Sequence, residues 1–520
     1  MSQQKSELDK SLKFLARSSL IVLAAVIFSK LLGYAYRIII ARYYGPEVYG
    51  LLILSFTIFG WFLLLSQFGL GSGILRYLSF YIGKKKEEKV SYIVKFFMGL
   101  MLMTGIVSGL LLFFLSDIIA QQLFSNPQLS IFLKFFSFMI PLAGIRTIFS
   151  LLMQAYEKIA WLTYVSKISD NLIRLILLIS LIFLGVGSIN VPITYISASL
   201  ITTLISYTFC RVSFKKIFKL RPKKDKILVK KIFSYSLPLI FFGFSMSLIS
   251  QADSFMIGLF QTVADVGFYN AAAPLAFLLI ISVELFGQMF FPMVTKEYAK
   301  GNMGLVKQLS QQTGKWVYII SLPLFILFMI FPGAFIKLFF GEEYLVAVNV
   351  LRYLAIGAMF TSVFAISKML VLMKGKSHLI FKYTLVVLAL NIVLNLLLIP
   401  RYGIDGAAIA TMVSFICLGL IFGFQSWKHL RIIPLRRKML KISIVALIPT
   451  ALIFLIRELA GINIATLLIS GILFFGVYVA LLFLTGCLDE NDKIIVNVIK
   501  GRLLKRKIEP IKLNNREEGL

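Results

Sequence analysis

Lys30 and Arg37 stand seven residues apart in the apolar stretch 17–42. A helix there presents both on nearly one face, about 10 Å apart along the axis, with Tyr34 on the stripe between them. Two cations and a hydroxyl in such surroundings suit an anion entering a low-dielectric phase, because an unpaired anion there is costly. The competing account is snorkelling to a membrane boundary, strongest for Arg37. Asp253 in stretch 232–260 and Glu284 in stretch 265–291 are carboxylates among apolar residues. Either could titrate or hold a coupling proton or cation, and Asp253 could instead pair with Arg37. Gln67 overlays Glu284 in an internal repeat, and Arg146 lies beyond Pro141 in stretch 129–155. Asp170 and Arg174, four apart, can satisfy each other on one helix face and read as a structural pair. Arg352 and Lys368, towards opposite ends of stretch 344–372, read as snorkelling side chains.

The elements that carry these residues are membrane helices. Of 520 residues, 59% are hydrophobic and 15% charged, where a soluble chain carries about 25% charged residues. Phe96 to Ser116, Leu175 to Cys210, Trp316 to Ile336, Gly406 to Trp427 and Leu459 to Leu488 contain no charge at all. A helix crosses a bilayer core with roughly 20 apolar residues. Turn signals and charge clusters predict fourteen spans, near 17–42, 47–73, 91–115, 129–155, 160–184, 190–213, 232–260, 265–291, 314–335, 344–372, 380–399, 404–426, 441–458 and 463–486. The fold class is therefore all-α integral membrane.

The net charge of +31 invites a nucleic-acid reading, but its distribution argues otherwise. Basic residues gather in the tails and alternate loops: Lys84 to Lys86, the stretch from Lys215 to Lys231, Arg436 to Lys438, and the C-terminal tail. Arg42, Lys134, Lys337, Arg401 and Arg457 lie near the opposite face. This is the positive-inside pattern, which places both termini in the cytoplasm of a multi-pass cell-membrane protein. The basic runs are expected to meet anionic membrane lipids, not nucleic acid.

A shift of about 217 residues lays one half over the other: Ile40 to Gly50 overlays Ile257 to Gly267. The basic stretches Ser79 to Lys89 and Lys296 to Lys307 coincide similarly, as do Gly187 to Asn190 with Gly403 to Gly406. An offset of six helices keeps both copies in one membrane orientation, the arrangement of two lobes about a central cavity. The expected organisation is a lobe at 1–213, a basic linker at 214–231, a second lobe at 232–426, two further helices within 441–486 and a basic tail at 487–520. Pro141, Pro274 and Pro323 fall inside spans and should kink them.

Several chemistries lack their residues. No GxxxxGK[ST] loop occurs, and Gly69-Leu70-Gly71-Ser72-Gly73 ends a span and serves close packing. The two histidines, His378 and His429, sit in separate loops, and no His, Cys and carboxylate cluster has metal-ligand spacing. No cofactor is indicated. Cys210, Cys417 and Cys487 suggest no disulfide framework. The predicted outer loops are short and offer only Glu342-Glu343 as adjacent carboxylates, so an enzyme is not expected.

The first hairpin, Ala41-Arg42-Tyr43-Tyr44-Gly45-Pro46-Glu47-Val48-Tyr49-Gly50-Leu51, resembles the opening signature of the polysaccharide-export branch of the multidrug/oligosaccharidyl-lipid/polysaccharide flippase superfamily. Gln67-Phe68-Gly69-Leu70-Gly71 and Arg76-Tyr77 follow as in that branch. Gln251 to Gly258, with Val266-Gly267-Phe268-Tyr269, is similar to a second recurrent stretch, and Gly403 to Ala410 to a third. The resemblance implies a V of two six-helix lobes around a central cavity and transport by alternating access. The substrate it implies is a polyprenyl-(pyro)phosphate-linked oligosaccharide, whose head group the cavity holds while its lipid tail stays in the bilayer. Lys30, Tyr34, Arg37, Gln67, Arg146, Asp253 and Glu284 are then the cavity candidates, with Asp253 and Glu284 the coupling-ion candidates. Glycan-assembly enzymes are possible partners. A multidrug/cation antiporter of the same superfamily, a lipid II flippase and a membrane-embedded glycan polymerase or ligase stand as alternatives.

Overall fold

The computed structural model describes the backbone of residues 2–488 apart from 186, 462 and 463. Side chains are described from residue 28 to 488, apart from 159–160, 166–167, 186, 237–250, 288–289, 460 and 462–464. Most of the basic tail expected at 487–520 thus lies outside the described residues.

Every extended element among the described residues is a helix. The N-terminal half contains α1 (Ser2–Gln67), α2 (Leu70–Gly83), α3 (Glu87–Ile118), α4 (Pro127–Ser137), α5 (Met139–Ala155), α6 (Ile159–Thr163), α7 (Ser169–Phe183), α8 (Asn190–Ser213) and α9 (Lys215–Lys219). The remainder contains α10 (Lys226–Phe260), α11 (Val263–Ala276), α12 (Ile281–Ala299), α13 (Met303–Ile330), α14 (Pro332–Phe339), α15 (Val348–Met373), α16 (Ser377–Leu430), α17 (Arg437–Ala460) and α18 (Ile464–Leu484). Ten helices among the described residues are long and apolar enough to cross a membrane.

Two of those ten are too long for a single crossing. The α1 segment Phe28–Gln67 has 40 residues and α16 has 54, against the roughly 20 a bilayer core requires. Each is interrupted at one glycine in a non-helical conformation, Gly45 at φ 81° and Gly403 at φ 55°. Glycine reaches positive φ without the penalty a Cβ imposes, and Pro46 is pre-set for the first turn of the helix that follows. Both breaks fall at span boundaries that the sequence predicts, between 42 and 47 and between 399 and 404. The fifth and seventh expected spans fall outside the ten. One is divided into α6, a π-helical turn at Tyr164–Ile168 and the short α7; the other is α10.

Prolines mark further breaks. Pro141 cannot donate to the carbonyl four residues back, and α4 ends at Ser137 with α5 beginning at Met139. Pro274 precedes a 3-10 turn at Phe277–Ile280 between α11 and α12. That turn leaves the Leu279 carbonyl to accept the hydroxyls of Ser282 (3.3 Å), Ser321 (3.0 Å) and Ser362 (3.0 Å). Serines restoring freed backbone groups are what make such a break tolerable inside a membrane. Pro323 lies within α13, which continues through it.

The N-terminal half packs α3 on α5, α5 on α8 and α7 on α8; the second half packs α15 on α16, α13 on α15 and α10 on α16. The principal contact between halves is α1 against α11. One buried apolar core crosses it, with Tyr36, Tyr49, Leu51 and Leu54 on one side and Val266, Tyr269, Tyr344 and Leu354 on the other. A second core joins α2, α3 and α5 to the linker through Phe214 and Ile217 and to α10 through Ile232. Helices α17 and α18 lie against α13 and α14 through Phe331, Ile442, Phe474 and Tyr478.

Candidate functional site between the two halves

Lys30 sits on α1 where Asn171 of α7 anchors the helix. The Asn171 side-chain amide donates to both the backbone and side-chain oxygens of Ser29, each at 3.0 Å. Lys30 then reaches across to the second half, where its Nζ lies 2.9 Å from Glu284 Oε2. Glu284 stands in the first turn of α12, just beyond the serine-stabilised 3-10 turn. Both side chains are about half exposed, at 48% and 58%, so the pair borders accessible space. Tyr34 is half-buried and Arg37 exposed. Arg37 makes no hydrogen bond or ion pair to a described residue, leaving its guanidinium available two turns from Lys30.

Of the two alternatives for Asp253, the pairing with Arg37 does not occur. Asp253 lies within the second half and accepts hydrogen bonds from the Tyr269 hydroxyl (2.7 Å), the Asn395 amide (2.8 Å) and the Thr411 hydroxyl. Asn391 completes the cluster: its oxygen accepts from Asn395 and its amide donates to Thr411, each at 3.2 Å. The Asn395 side-chain carbonyl oxygen is buried with no partner among the described residues. Carboxylate, amide and hydroxyl oxygens gathered in this way are the donor set of a hard cation. Among the described residues no group of three or more His, Cys, Asp or Glu could hold a metal ion.

The other candidates bond within the first half. Gln67 donates to Thr147 Oγ1 at 3.1 Å. Arg146 contacts Asp170 at 2.8 Å, and Asp170 also pairs with Arg174. The predicted Asp170–Arg174 pair is thus the core of a three-member network, with the Arg174 guanidinium 3.9 Å from the centre of the Tyr195 ring. Arg146 is part of that network and not a free cavity cation.

Sequence reasoning missed Asn391, Asn395 and Thr411. The available signal was Asn391 and Asn395 at i and i+4 in an otherwise apolar helix, where polar side chains share one face.

At the hairpin end the halves are fastened together. Arg42 donates to the carbonyls of Lys337 (3.0 Å), Leu338 and Phe339 (2.9 Å), the C-terminal carbonyls of α14. Tyr344 donates to the Ala41 carbonyl at 3.0 Å and Tyr49 to the Asn270 carbonyl at 3.1 Å. Arg42, Glu47, Ala264 and Glu343 border a cleft of about 500 Å³ beside this junction.

Two helical halves meeting at broken helices, with ionisable residues on their facing sides, define a polytopic transporter fold of the multidrug/oligosaccharidyl-lipid/polysaccharide flippase superfamily. Residues 15–298 match the family described as Polysaccharide biosynthesis protein, and the chain belongs to that family. Residues 238–397 also match the MatE family. The chain is 21% identical to the lipid II flippase MurJ of Bacillus subtilis over 79% of this chain and 82% of that protein. It is 25% identical to a protein of Haloferax volcanii described as a probable low-salt glycan biosynthesis flippase, over 48% of this chain and 53% of that one. Among solved structures, a lipid II flippase MurJ in an inward closed conformation aligns with a TM-score of 0.69 at 17% identity. That alignment covers 94% of this chain and all of that one.

Proposed function

We propose that the chain flips a polyprenyl-(pyro)phosphate-linked oligosaccharide from the cytoplasmic to the outer leaflet, for assembly of a surface polysaccharide or glycan. The observation that carries this reading is the cationic stripe on α1. Lys30 and Arg37 share a helix face in a membrane-spanning segment, both are exposed, and Arg37 has no carboxylate partner among the described residues. A stripe of this kind serves a phosphate crossing a low-dielectric layer and repels a lipophilic cation. Membership of a polysaccharide biosynthesis family supports the glycan cargo, as does the likeness to the Haloferax volcanii protein.

In this reading the breaks at Gly45 and Gly403, together with the segments 160–184 and 232–260, bring the crossings to fourteen. Both termini and the basic linker 214–231 then face the cytoplasm, against anionic lipid headgroups. The lobes are 1–213 and 232–426, and the chain acts by alternating access without a catalytic step. Asp253, with Asn391, Asn395 and Thr411, is the coupling site for a proton or monovalent cation; the orphaned Asn395 oxygen supports a cation there.

The test is the purified chain in liposomes carrying a fluorescent polyprenyl-diphosphate sugar, with translocation followed by a membrane-impermeant quencher. Wild type should translocate and Lys30→Ala should not, with both inserted equally. If no variant moves the lipid while wild type moves a lipophilic cation along an imposed sodium or proton gradient, the flippase reading is wrong. The antiporter reading, which the MatE match keeps in play, then takes its place.

A further inference from the structure

The position of Glu284 is at odds with a site that only attracts anions. In the internal repeat it occupies the place of Gln67, but the two behave differently. Gln67 is neutral and bonds within its own half, to Thr147. Glu284 is charged and reaches over to the opposite half, to the cation the cargo would need. The carboxylate is therefore placed once, opposite Lys30, and the repeat supplies no matching charge on the other side. Half-exposed as they are, Lys30 and Glu284 hold each other only loosely, because solvent screens an accessible pair and competing anions can reach it. Arg37, without an ion-pair partner among the described residues and two turns away, offers a second cation to any anion that arrives.

We propose that Glu284 is a specificity-determining counter-anion, holding Lys30 until the phosphate of an anionic lipid displaces it. This rests on the reading of the chain as a translocator of phosphate-linked lipids. A diphosphate spans more negative charge than one carboxylate and can engage Lys30 and Arg37 together, so it wins the exchange. A neutral lipid cannot, and a cationic one would favour Glu284 while being repelled by Arg37. Displacement also removes an ion pair that ties α1 to α12, so the arrival of suitable cargo loosens the connection between the halves.

The experiment uses the full chain in nanodiscs with farnesyl diphosphate as probe and farnesol as neutral control. Wild type should bind the diphosphate and not the alcohol. Glu284→Gln should bind it roughly two- to fivefold more tightly, the range set by loss of one exposed competing ion pair, and Lys30→Gln should lose most of the binding. Glu284→Ala carries the same expectation if Glu284→Gln does not insert. Equal affinity in wild type and both Glu284 variants, with binding still dependent on Lys30, overturns the counter-anion role and leaves the phosphate-lipid reading standing. Weaker binding on removing Glu284 also overturns it, because the carboxylate then assists the cargo. Absence of diphosphate binding in every variant overturns both.

Discussion

A Cβ added to Gly50 would lie 1.8 Å from the carbonyl oxygen of Val263, so the two backbones meet with no side chain between them. The converse contact also exists, since a Cβ on Gly267 would lie 2.1 Å from the carbonyl oxygen of Pro46. The repeat makes Gly267 the counterpart of Gly50, and Val263 the counterpart of Pro46. Each half thus offers the same glycine to the same carbonyl of the other, the reciprocity of a two-fold contact. Small residues allow this approach in membrane helices, where packing must replace the hydrophobic effect as the force of association.

Gly50→Ala and Gly267→Ala should each force the hairpin ends apart, because the obstructing atom is backbone and cannot swing away. Overpacking of this kind costs roughly 1–3 kcal/mol, applied only to conformations in which this end is closed. The reactivity of Ala264→Cys towards a membrane-impermeant maleimide, with the native cysteines replaced, should rise several-fold in both variants. A rise in one variant alone would contradict the two-fold relationship.

Asp170 stands between two guanidiniums, with its own side chain 12% exposed and those of Arg146 and Arg174 at 21% and 13%. Asp170→Asn leaves two positive charges without their counter-charge. Breaking a buried pair this way costs roughly 3–5 kcal/mol, so the melting temperature in detergent should fall by many degrees. Arg146→Gln should cost less, since Asp170 keeps Arg174. If Asp170→Asn melts with wild type, the network is not what stabilises the packing of α5 and α7 on α8.

The parts of this fold legible in the sequence are those with a periodic or local cause. Apolar run lengths mark the helices, and Gly45-Pro46 and Gly403 mark the breaks, because backbone preference acts within a few residues. The repeat was visible because Gly50 and Gly267 answer one packing requirement. Pairing inside the membrane was harder. Lys30 and Glu284 are 254 positions apart, and only the meeting of the two halves brings them together. The Asp253 cluster draws on α10, α11 and α16, and no spacing along one helix connects Asp253 with Thr411. Asp170–Arg174 is legible because both residues lie on one helix, whereas Arg146 joins them from α5, 24 positions away.

Asp253→Asn should uncouple transport without emptying the cargo site. Three donors converge on the carboxylate, and an amide in its place must turn its own donors towards at least one of them, a local cost of about 1–3 kcal/mol. Stimulation of flipping by an imposed sodium or proton gradient should disappear. Farnesyl diphosphate affinity should stay within about twofold of wild type, since Asp253 shares no partner with Lys30. Intact stimulation would move the coupling role away from this cluster.

The linker should let go of the first half in acid. Asp225 caps α10 by accepting the Leu228 backbone N–H at 2.9 Å and pairs with Lys89 at 3.2 Å. The Leu228 hydrogen bond, aided by Lys89 and partly opposed by burial, holds its carboxyl below the usual carboxylate range. A carboxylate depressed on folding contributes stability that is complete above its unfolded pKa, near 3.9, and is lost as pH falls through the lower folded value. Of the remaining ties, Ser91 to the Ile217 carbonyl at 2.7 Å and Lys95 to the Leu220 carbonyl at 2.6 Å involve no acid, and the Lys216–Glu87 ion pair at 2.7 Å is solvent-exposed and contributes little. The anisotropy of a dye on Lys219→Cys, in a background lacking the native cysteines, should therefore hold level from neutral pH to about pH 4 and drop below it. In Asp225→Asn it should start lower and stay flat with pH. A variant as immobile as wild type at neutral pH would assign the attachment to Ser91, Lys95 and the Lys216–Glu87 pair instead.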